Sequence, residues 1–204
     1  MREPNDSRSV VAIVPAAGRS GRMGTPKQLL DVDGRPMLLG VIDALLTGGI
    51  SSITLVAGTA LREALPPLPP GVAVAANDDP RTEMIDSIRI GLAASPVVDG
   101  YLVCPSDAAR LAASDVRRCI DAFAKSPNAI VIARHNGRGG HPIIIPASLR
   151  DAVQSSECDA GLNQLARNRP QRVQHAECDS PGTVANVNTP DDYEGLKDSE
   201  RRAP

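Results

Sequence analysis

The chain of 204 residues has no tryptophan, one phenylalanine and two tyrosines. Recognition of nucleic-acid bases by aromatic stacking is therefore nearly excluded, and the core has to be built from Val, Ile, Leu and Ala. Net charge is only -2, so no global basic field recruits nucleic acid or anionic membrane, and any polyanion must be met locally. The four cysteines, Cys104, Cys119, Cys158 and Cys178, form no Cys-x-x-Cys pair, which argues against a zinc site and for a reducing compartment. No apolar run approaches the ~20 residues of a membrane span. Residues 1–9 are polar and charged rather than signal-like. These absences describe a cytoplasmic protein with neither nucleic acid nor membrane as partner. The length suits one α/β domain, expected over residues 10–198 between disordered charged tails at 1–9 and 199–204.

What is present is concentrated near the start. Val10-Val11-Ala12-Ile13-Val14 reads as a strand buried on both faces, and it runs into a loop holding Gly18, Gly21 and Gly24 together with Arg19, Arg22 and Lys27. Glycines let successive backbone N–H groups turn toward phosphate oxygens, and the cationic side chains add charge that amides lack, so the loop is a polyanion cradle. Its spacing matches neither the P-loop nor the Gly-x-Gly-x-x-Gly dinucleotide fingerprint. A helical pattern over 37–46 follows, closed by Gly48-Gly49, then a strand over 50–56, a short helix over 61–65, a proline-rich connector and a strand over 72–76. Alternation of strand and helix predicts right-handed parallel crossovers. The expected architecture is a three-layer, doubly wound α/β fold with a mostly parallel sheet, ligands binding beyond the carboxyl ends of its strands.

Further along, Thr82 reads as the cap of a helix, and Gly100-Tyr101-Leu102-Val103-Cys104 reads as a strand delivering Pro105-Ser106-Asp107 to the ligand edge. A carboxylate there, facing a phosphate cradle, suits Mg²⁺, which favours one or two carboxylates plus phosphate and water; the alternative is that Asp107 merely begins a turn. Ser114 is expected to cap a helix through Ala124, with Phe123 in the core. Strands are expected over 129–133 and 172–175, and Asp159 is by default a helix cap. Thr189, Pro190 and the acidic pair Asp191-Asp192 mark a strong helix start.

The stretch Ala16-Ala17-Gly18-x-Ser20-x-Arg22-Met23-Gly24-x-x-Lys27 resembles the signature loop of the MobA-like nucleotidyltransferases, and among these it is most similar to molybdenum cofactor cytidylyltransferases. The resemblance extends over about residues 10–197 and implies a Rossmann-like nucleotidyltransferase fold. By it, Ala16, Ala17, Gly18, Arg19, Ser20, Gly21, Arg22 and Lys27 would bind a nucleoside triphosphate, with Arg22 and Lys27 catalytic. Asn77 would join the nucleotide site. Ser87 matches a serine near base and ribose in the family, and is otherwise a plain helix residue; Glu83 stands where the family pattern has glycine.

The resemblance further implies that Asp107 contacts the nucleotide through a metal and that Asn188 is the second metal ligand, its amide oxygen standing where relatives carry Asp or Asn. Asp107 is followed by Ala108-Ala109-Arg110 without the family's proline. Gly140-His141-Pro142 resembles the acceptor-lining segment, which points to His141 as a substrate residue, and Cys158-Asp159-Ala160-Gly161 resembles a motif that would place Asp159 on the substrate side. The implied reaction moves a nucleoside monophosphate from an NTP, CTP preferred, to a small phosphorylated acceptor such as molybdopterin cofactor, a sugar phosphate or a polyol phosphate. Magnesium would be the cofactor and pyrophosphate the leaving product. A molybdoenzyme or its maturation factor is the implied protein partner. Two other classes stay open at this point: a nucleotide-binding regulator without turnover, and an oxidoreductase, against which the glycine spacing speaks.

Overall fold

The computed structural model describes residues 8–18 and 26–201, with side chains to residue 196. Strand β1 (Val10–Pro15) is followed by a 3-10 turn at Lys27–Leu29 and a small hairpin of β2 (Asp31–Val32) and β3 (Arg35–Pro36). Next come α1 (Met37–Thr47), β4 (Ile53–Ala57), α2 (Thr59–Ala64), β5 (Val72–Ala76), α3 (Met84–Ala94) and β6 (Gly100–Val103). The second half holds α4 (Ala113–Lys125), β7 (Ile130–His135), β8 (Arg138–Pro146), α5 (Arg150–Gln154), α6 (Asn163–Asn168), β9 (Val173–Glu177) and α7 (Pro190–Arg201).

Seven strands form one sheet in the order β5-β4-β1-β6-β8-β7-β9. Neighbours pair in parallel except β8, which runs against both β6 and β7. This is the mostly parallel α/β sheet that the alternation of elements predicts. The reversal at β8 comes from the Asn136-Gly137 turn, where both residues have positive φ, 49° and 78°, the conformation that a tight hairpin requires.

The apolar strands are covered on both faces, which is why they read as runs rather than alternations. In β1, Ala12 and Val14 join one core with Leu38, Val41 and Leu45 of α1 and with Val116 and Phe123 of α4. Ile13 points the other way, into a core with Ile85, Ile88 and Leu92 of α3, Tyr101 of β6 and Leu165 of α6. Phe123 is fully buried, as expected. Tyr101 buries its ring and satisfies its hydroxyl, which donates to the Pro96 carbonyl at 3.2 Å and accepts from Arg150 at 2.9 Å.

Helix starts match the sequence reading unevenly. At α7 the Thr189 hydroxyl accepts from the Asp192 N–H at 3.1 Å while the Asp192 carboxylate accepts from the Thr189 N–H at 2.8 Å, so the expected cap is made. At α3 the cap is Glu83 rather than Thr82, in a reciprocal pair with Asp86, and the Thr82 hydroxyl instead donates to the Asp79 carbonyl at 2.8 Å and accepts from the Asn77 amide at 3.0 Å. Helix α4 starts at Ala113, after Ala112, with no side-chain cap from Ser114. Asp159 follows a 3-10 turn at Ser156–Cys158 and caps no helix start; α6 begins only at Asn163.

Ser9, placed in the amino-terminal tail by the sequence reading, donates its N–H and hydroxyl to Asp99, each at 2.9 Å, and α7 runs on to Arg201. The remaining tail residues, 1–7 and 202–204, lie outside the described residues. Among the described residues no helix is long and apolar enough to cross a membrane. All four cysteines are free and buried.

Two glycines let main chain touch main chain. A Cβ on Gly140 would fall 1.9 Å from the Thr183 carbonyl oxygen, and one on Gly182 would fall 1.9 Å from that of Arg110. Gly140→Ala is therefore expected to destabilise by about 2 kcal/mol or more. Gly195→Ala, in an exposed turn of α7 with nothing within 4 Å, is expected to stabilise by up to about 1 kcal/mol. Urea unfolding of the two variants beside the parent checks both signs.

Candidate functional site

The carboxyl end of the sheet collects the candidates because β1, β4, β5 and β6 all end there. The loop that leaves β1 is pinned at both of its described ends. The Ala16 N–H donates to the Val56 carbonyl at 2.8 Å, and the buried Gln28 amide donates back to the Ala16 carbonyl at 3.0 Å. That return bond sets Lys27 beside the end of β6. Arg19, Ser20, Gly21 and Arg22 lie outside the described residues, and Gly18 is the last residue of the loop's first limb.

After β6 the chain turns at residues 105–108, with the Ala108 N–H donating to the Pro105 carbonyl at 3.3 Å. The turn carries Asp107, only 5% exposed, into the interior of the edge. Its carboxylate Oδ2 accepts from Lys27 Nζ at 2.5 Å, while Oδ1 is buried without a hydrogen-bond partner. The same ammonium donates to Asn188 Oδ1 and to the Val187 carbonyl, both at 3.1 Å. Asn188 is held there from two sides. Its neighbour's N–H, that of Val187, donates to the Asp107 carbonyl at 3.1 Å, and its own N–H donates to Asp192 Oδ2 at 2.9 Å. The Asp192 carboxyl is held below its usual range by the N–H of Asn188, then by the Thr189 hydroxyl and N–H, with a smaller contribution from the Lys27 charge. Helix α7, which supplies this cap, is fastened by Tyr193 donating to the Asp31 carbonyl at 2.6 Å and by Arg110 donating to the Leu196 carbonyl at 2.8 Å.

Three residues proposed from widely separated motifs, Lys27, Asp107 and Asn188, thus meet in one cluster. A carboxylate with an unused buried oxygen, an amide oxygen and a main-chain carbonyl already gathered around one cation are the hard donors that suit a divalent ion such as Mg²⁺ or Mn²⁺. Among the described residues no three His, Cys, Asp or Glu side chains come together as a metal group, so such an ion would draw its remaining ligands from phosphate and water.

The other candidates divide. Ala17 approaches Asn77 across Gly58: a Cβ on Gly58 would stand 3.4 Å from the Asn77 carbonyl and 3.9 Å from that of Ala17. The Asn77 amide donates to the Thr82 hydroxyl at 3.0 Å and to the Ser87 hydroxyl at 2.9 Å. Asn77 and Ser87 are therefore brought together, and both are buried, with Ser87 3% exposed on the inner face of α3. Asp159 is elsewhere. Its exposed carboxylate accepts from Arg89 of α3 at 2.7 Å, and Arg89 also donates to the Val153 and Ser155 carbonyls, tying α3 to α5.

His141 precedes the pairing of Ile143 with Val103, so antiparallel β8 brings it to the same edge as Asp107. Its Nδ1 is buried without a hydrogen-bond partner. Burial lowers its pKa from the ordinary value of 6.5, opposed by the Asp107 charge and by a hydrogen bond to the Val103 backbone. The residues that sequence reasoning missed are Gln28, the Val187 carbonyl and Asp192. Asp192 was visible only as a helix-start acid, and a glutamine or a carbonyl carries no signal of its own. A separate cavity of about 480 Å³, lined by Ser126, Asn128, Gln171 and Arg172 among others, lies at the amino ends of β7 and β9, away from this edge.

Because the folded pKa of His141 lies below the unfolded value, its neutral form contributes stability in full above about pH 6.5, lost progressively as pH falls through the lowered folded value. Urea unfolding between about pH 7.5 and pH 5 should show a loss of stability that is smaller in His141→Gln. An identical pH slope in both proteins would contradict the buried neutral imidazole.

Residues 12–176 match the MobA-like NTP transferase domain. Over 116 residues the chain is 40% identical to a 2-C-methyl-D-erythritol 4-phosphate cytidylyltransferase of Nocardia farcinica, a match to 54% of this chain. It spans about half the length of that relative, 48%. Over 198 residues it is 30% identical to nicotine blue oxidoreductase of Paenarthrobacter nicotinovorans, covering 90% of this chain and 94% of the relative. Among solved structures, Rv0371c of Mycobacterium tuberculosis in complex with manganese superposes with a TM-score of 0.78 at 26% identity, covering 94% of this chain and 99% of that one. With the domain match spanning most of the sheet and its loops, the chain belongs to the MobA-like NTP transferase family.

Proposed function

We propose that the protein transfers a nucleoside monophosphate from a nucleoside triphosphate, CTP preferred, to a small phosphorylated acceptor, releasing pyrophosphate. The observation that carries this reading is the convergence of Lys27, Asp107 and Asn188 at the carboxyl end of β1 and β6, where the loop after β1 would hold the triphosphate. A phosphate oxygen of the acceptor attacks the α-phosphorus, and the bond from that phosphorus to the bridging oxygen of the β-phosphate breaks. The acceptor oxygen is already anionic, so no protein base or nucleophile is needed, and positioning and charge stabilisation supply the acceleration. Asp107 and Asn188 would hold the divalent ion, Mg²⁺ in this reading, which when bound offsets phosphate charge. Lys27 and Arg22 would neutralise charge gathering on the α-phosphate and the departing pyrophosphate.

Ala16, Ala17, Gly18, Arg19, Ser20 and Gly21 would wrap the phosphates. Asn77 and Ser87 would shape the wall near base and ribose. His141 would face the acceptor as a neutral imidazole. Asp159, occupied by Arg89, would reach an acceptor only by leaving that pair. CTP is supported by the Ala16-Ala17-Gly18 opening and by the name of the Nocardia relative, a cytidylyltransferase, which also makes a polyol phosphate acceptor as reasonable as molybdopterin cofactor. Buried free thiols fit a cytoplasmic setting.

One observation favours a second reading. A relative matched over nearly its whole length is named an oxidoreductase, so the cradle could instead hold the pyrophosphate of a nicotinamide dinucleotide.

Calorimetry with CTP, GTP, ATP, UTP and NADPH, with and without Mg²⁺, separates the two readings. Binding of one triphosphate that needs Mg²⁺ and weakens at least about tenfold in Lys27→Ala, roughly 1.4 kcal/mol, is expected. Pyrophosphate release on adding a phosphorylated acceptor completes the test. Binding of NADPH alone would overturn the transferase reading, and triphosphate binding without pyrophosphate release from any acceptor would leave a regulator.

A further inference from the structure

The three N–H bonds of an ammonium group are all it has to give. Lys27 Nζ has an acceptor for each: Asp107 Oδ2 at 2.5 Å, and Asn188 Oδ1 and the Val187 carbonyl at 3.1 Å. These are the oxygens that suit a divalent cation. The pair is also sheltered, with the Lys27 side chain 19% exposed and that of Asp107 7% exposed, so its attraction is screened less than that of a surface ion pair. A Lys27 ammonium so placed cannot also donate to a phosphate without giving up one of these oxygens. A doubly charged ion taking these same oxygens while the ammonium stayed would bring two cations together around one carboxylate, and their repulsion opposes it.

We propose that Lys27 is a resident counter-cation of the Asp107 and Asn188 site, and that it and a divalent ion exclude each other there, the ion entering as the phosphates of a nucleotide draw Lys27 away. Metal and nucleotide binding are thereby coupled through one side chain. Lys27 keeps the buried Asp107 carboxylate neutralised until nucleotide arrives, and the exchange delivers it to the phosphates when the ion takes its place. This rests on the nucleotidyltransferase reading for the identity of the incoming anion. It goes beyond that reading in assigning Lys27 two alternative partners and a role in excluding metal before nucleotide.

The test is Mn²⁺ affinity, read by calorimetry and by the electron paramagnetic resonance of free Mn²⁺, on the full chain without nucleotide. The parent is expected to bind weakly, Lys27→Met at least about tenfold more tightly, and Lys27→Arg, which keeps a cation at the position, close to the parent. Adding a non-hydrolysable CTP analogue is expected to tighten Mn²⁺ binding in the parent much more than in Lys27→Met, because only the parent has a cation to move. Equal Mn²⁺ affinity in parent and Lys27→Met would overturn the proposal.

If Lys27→Met does not fold, the parent still decides. The ¹⁵N ammonium signal of Lys27 should persist when Mg²⁺ alone is added and shift when Mg²⁺ and the analogue are added together. A shift with Mg²⁺ alone that the analogue does not extend would count against it. The two readings fail separately. Absence of any triphosphate binding sinks the nucleotidyltransferase reading whatever Mn²⁺ does, whereas triphosphate turnover with unchanged Mn²⁺ affinity in Lys27→Met sinks only the exclusion.

Discussion

A carboxylate that is 5% exposed needs a cation, and in this protein the site is arranged around meeting that need. An uncompensated buried charge costs on the order of several kcal/mol, so the Asp107 carboxylate and the Lys27 ammonium hold one another in place across 80 residues of sequence. Each is also fixed by its own segment. Gln28 returns the cradle loop to Ala16, the turn after β6 aims Asp107, and the reciprocal cap of α7 presents Asn188. Three separated stretches of the chain thus meet in one site with that charge requirement at its centre.

The sheet was legible because parallel strands buried on both faces write themselves as apolar runs, as in β1 and β6, and because a helix between each pair forces the crossover. The one reversed strand was legible only in retrospect, from Asn136-Gly137. Helix starts were harder to read. Thr189 and Pro190 act as their types suggest, but Thr82 and Ser114 do not: Thr82 joins a loop network with Asp79 and Asn77 one residue before the cap, and Ser114 lies inside the first turn of α4. The same holds at the site. Lys27 could be placed from the basic Gly-rich loop and Asp107 from the strand before it, whereas Asn188 followed only from the family resemblance. The tie of Ser87 to Asn77 and the capture of Asp159 by Arg89 could not be read, because both depend on how loops fold over one another.

His141 adds a second electrostatic condition at the same edge. It sits near enough to Asp107 for that charge to favour its protonated form, yet desolvation prevails and keeps the ring neutral. A neutral imidazole whose one N–H goes to the Val103 backbone keeps only a lone pair on the unused Nδ1, so it can accept a hydrogen bond there and adds nothing to the positive charge that Lys27 already supplies. The edge therefore separates its roles: fixed positive charge on the side of β1, and an uncharged polar group on the side of β8.

The contacts of Gly140 with Thr183 and of Gly182 with Arg110 are made by backbone alone. They lock the segment from 180 to 188 against β8 on one side and against the turn after β6 on the other. Its route is therefore set by the two glycines, which admit no larger residue, and by the residue count from Gly182 to Asn188. The side chain at 188 is freer, since Asp or Asn can stand at that point without the chain being laid differently. Its length is not open in the same way: one inserted or deleted residue between Gly182 and Asn188 would carry the amide oxygen off the Asp107 carboxylate while leaving the sheet intact. Variation in this part of the fold should accordingly be poor in gaps.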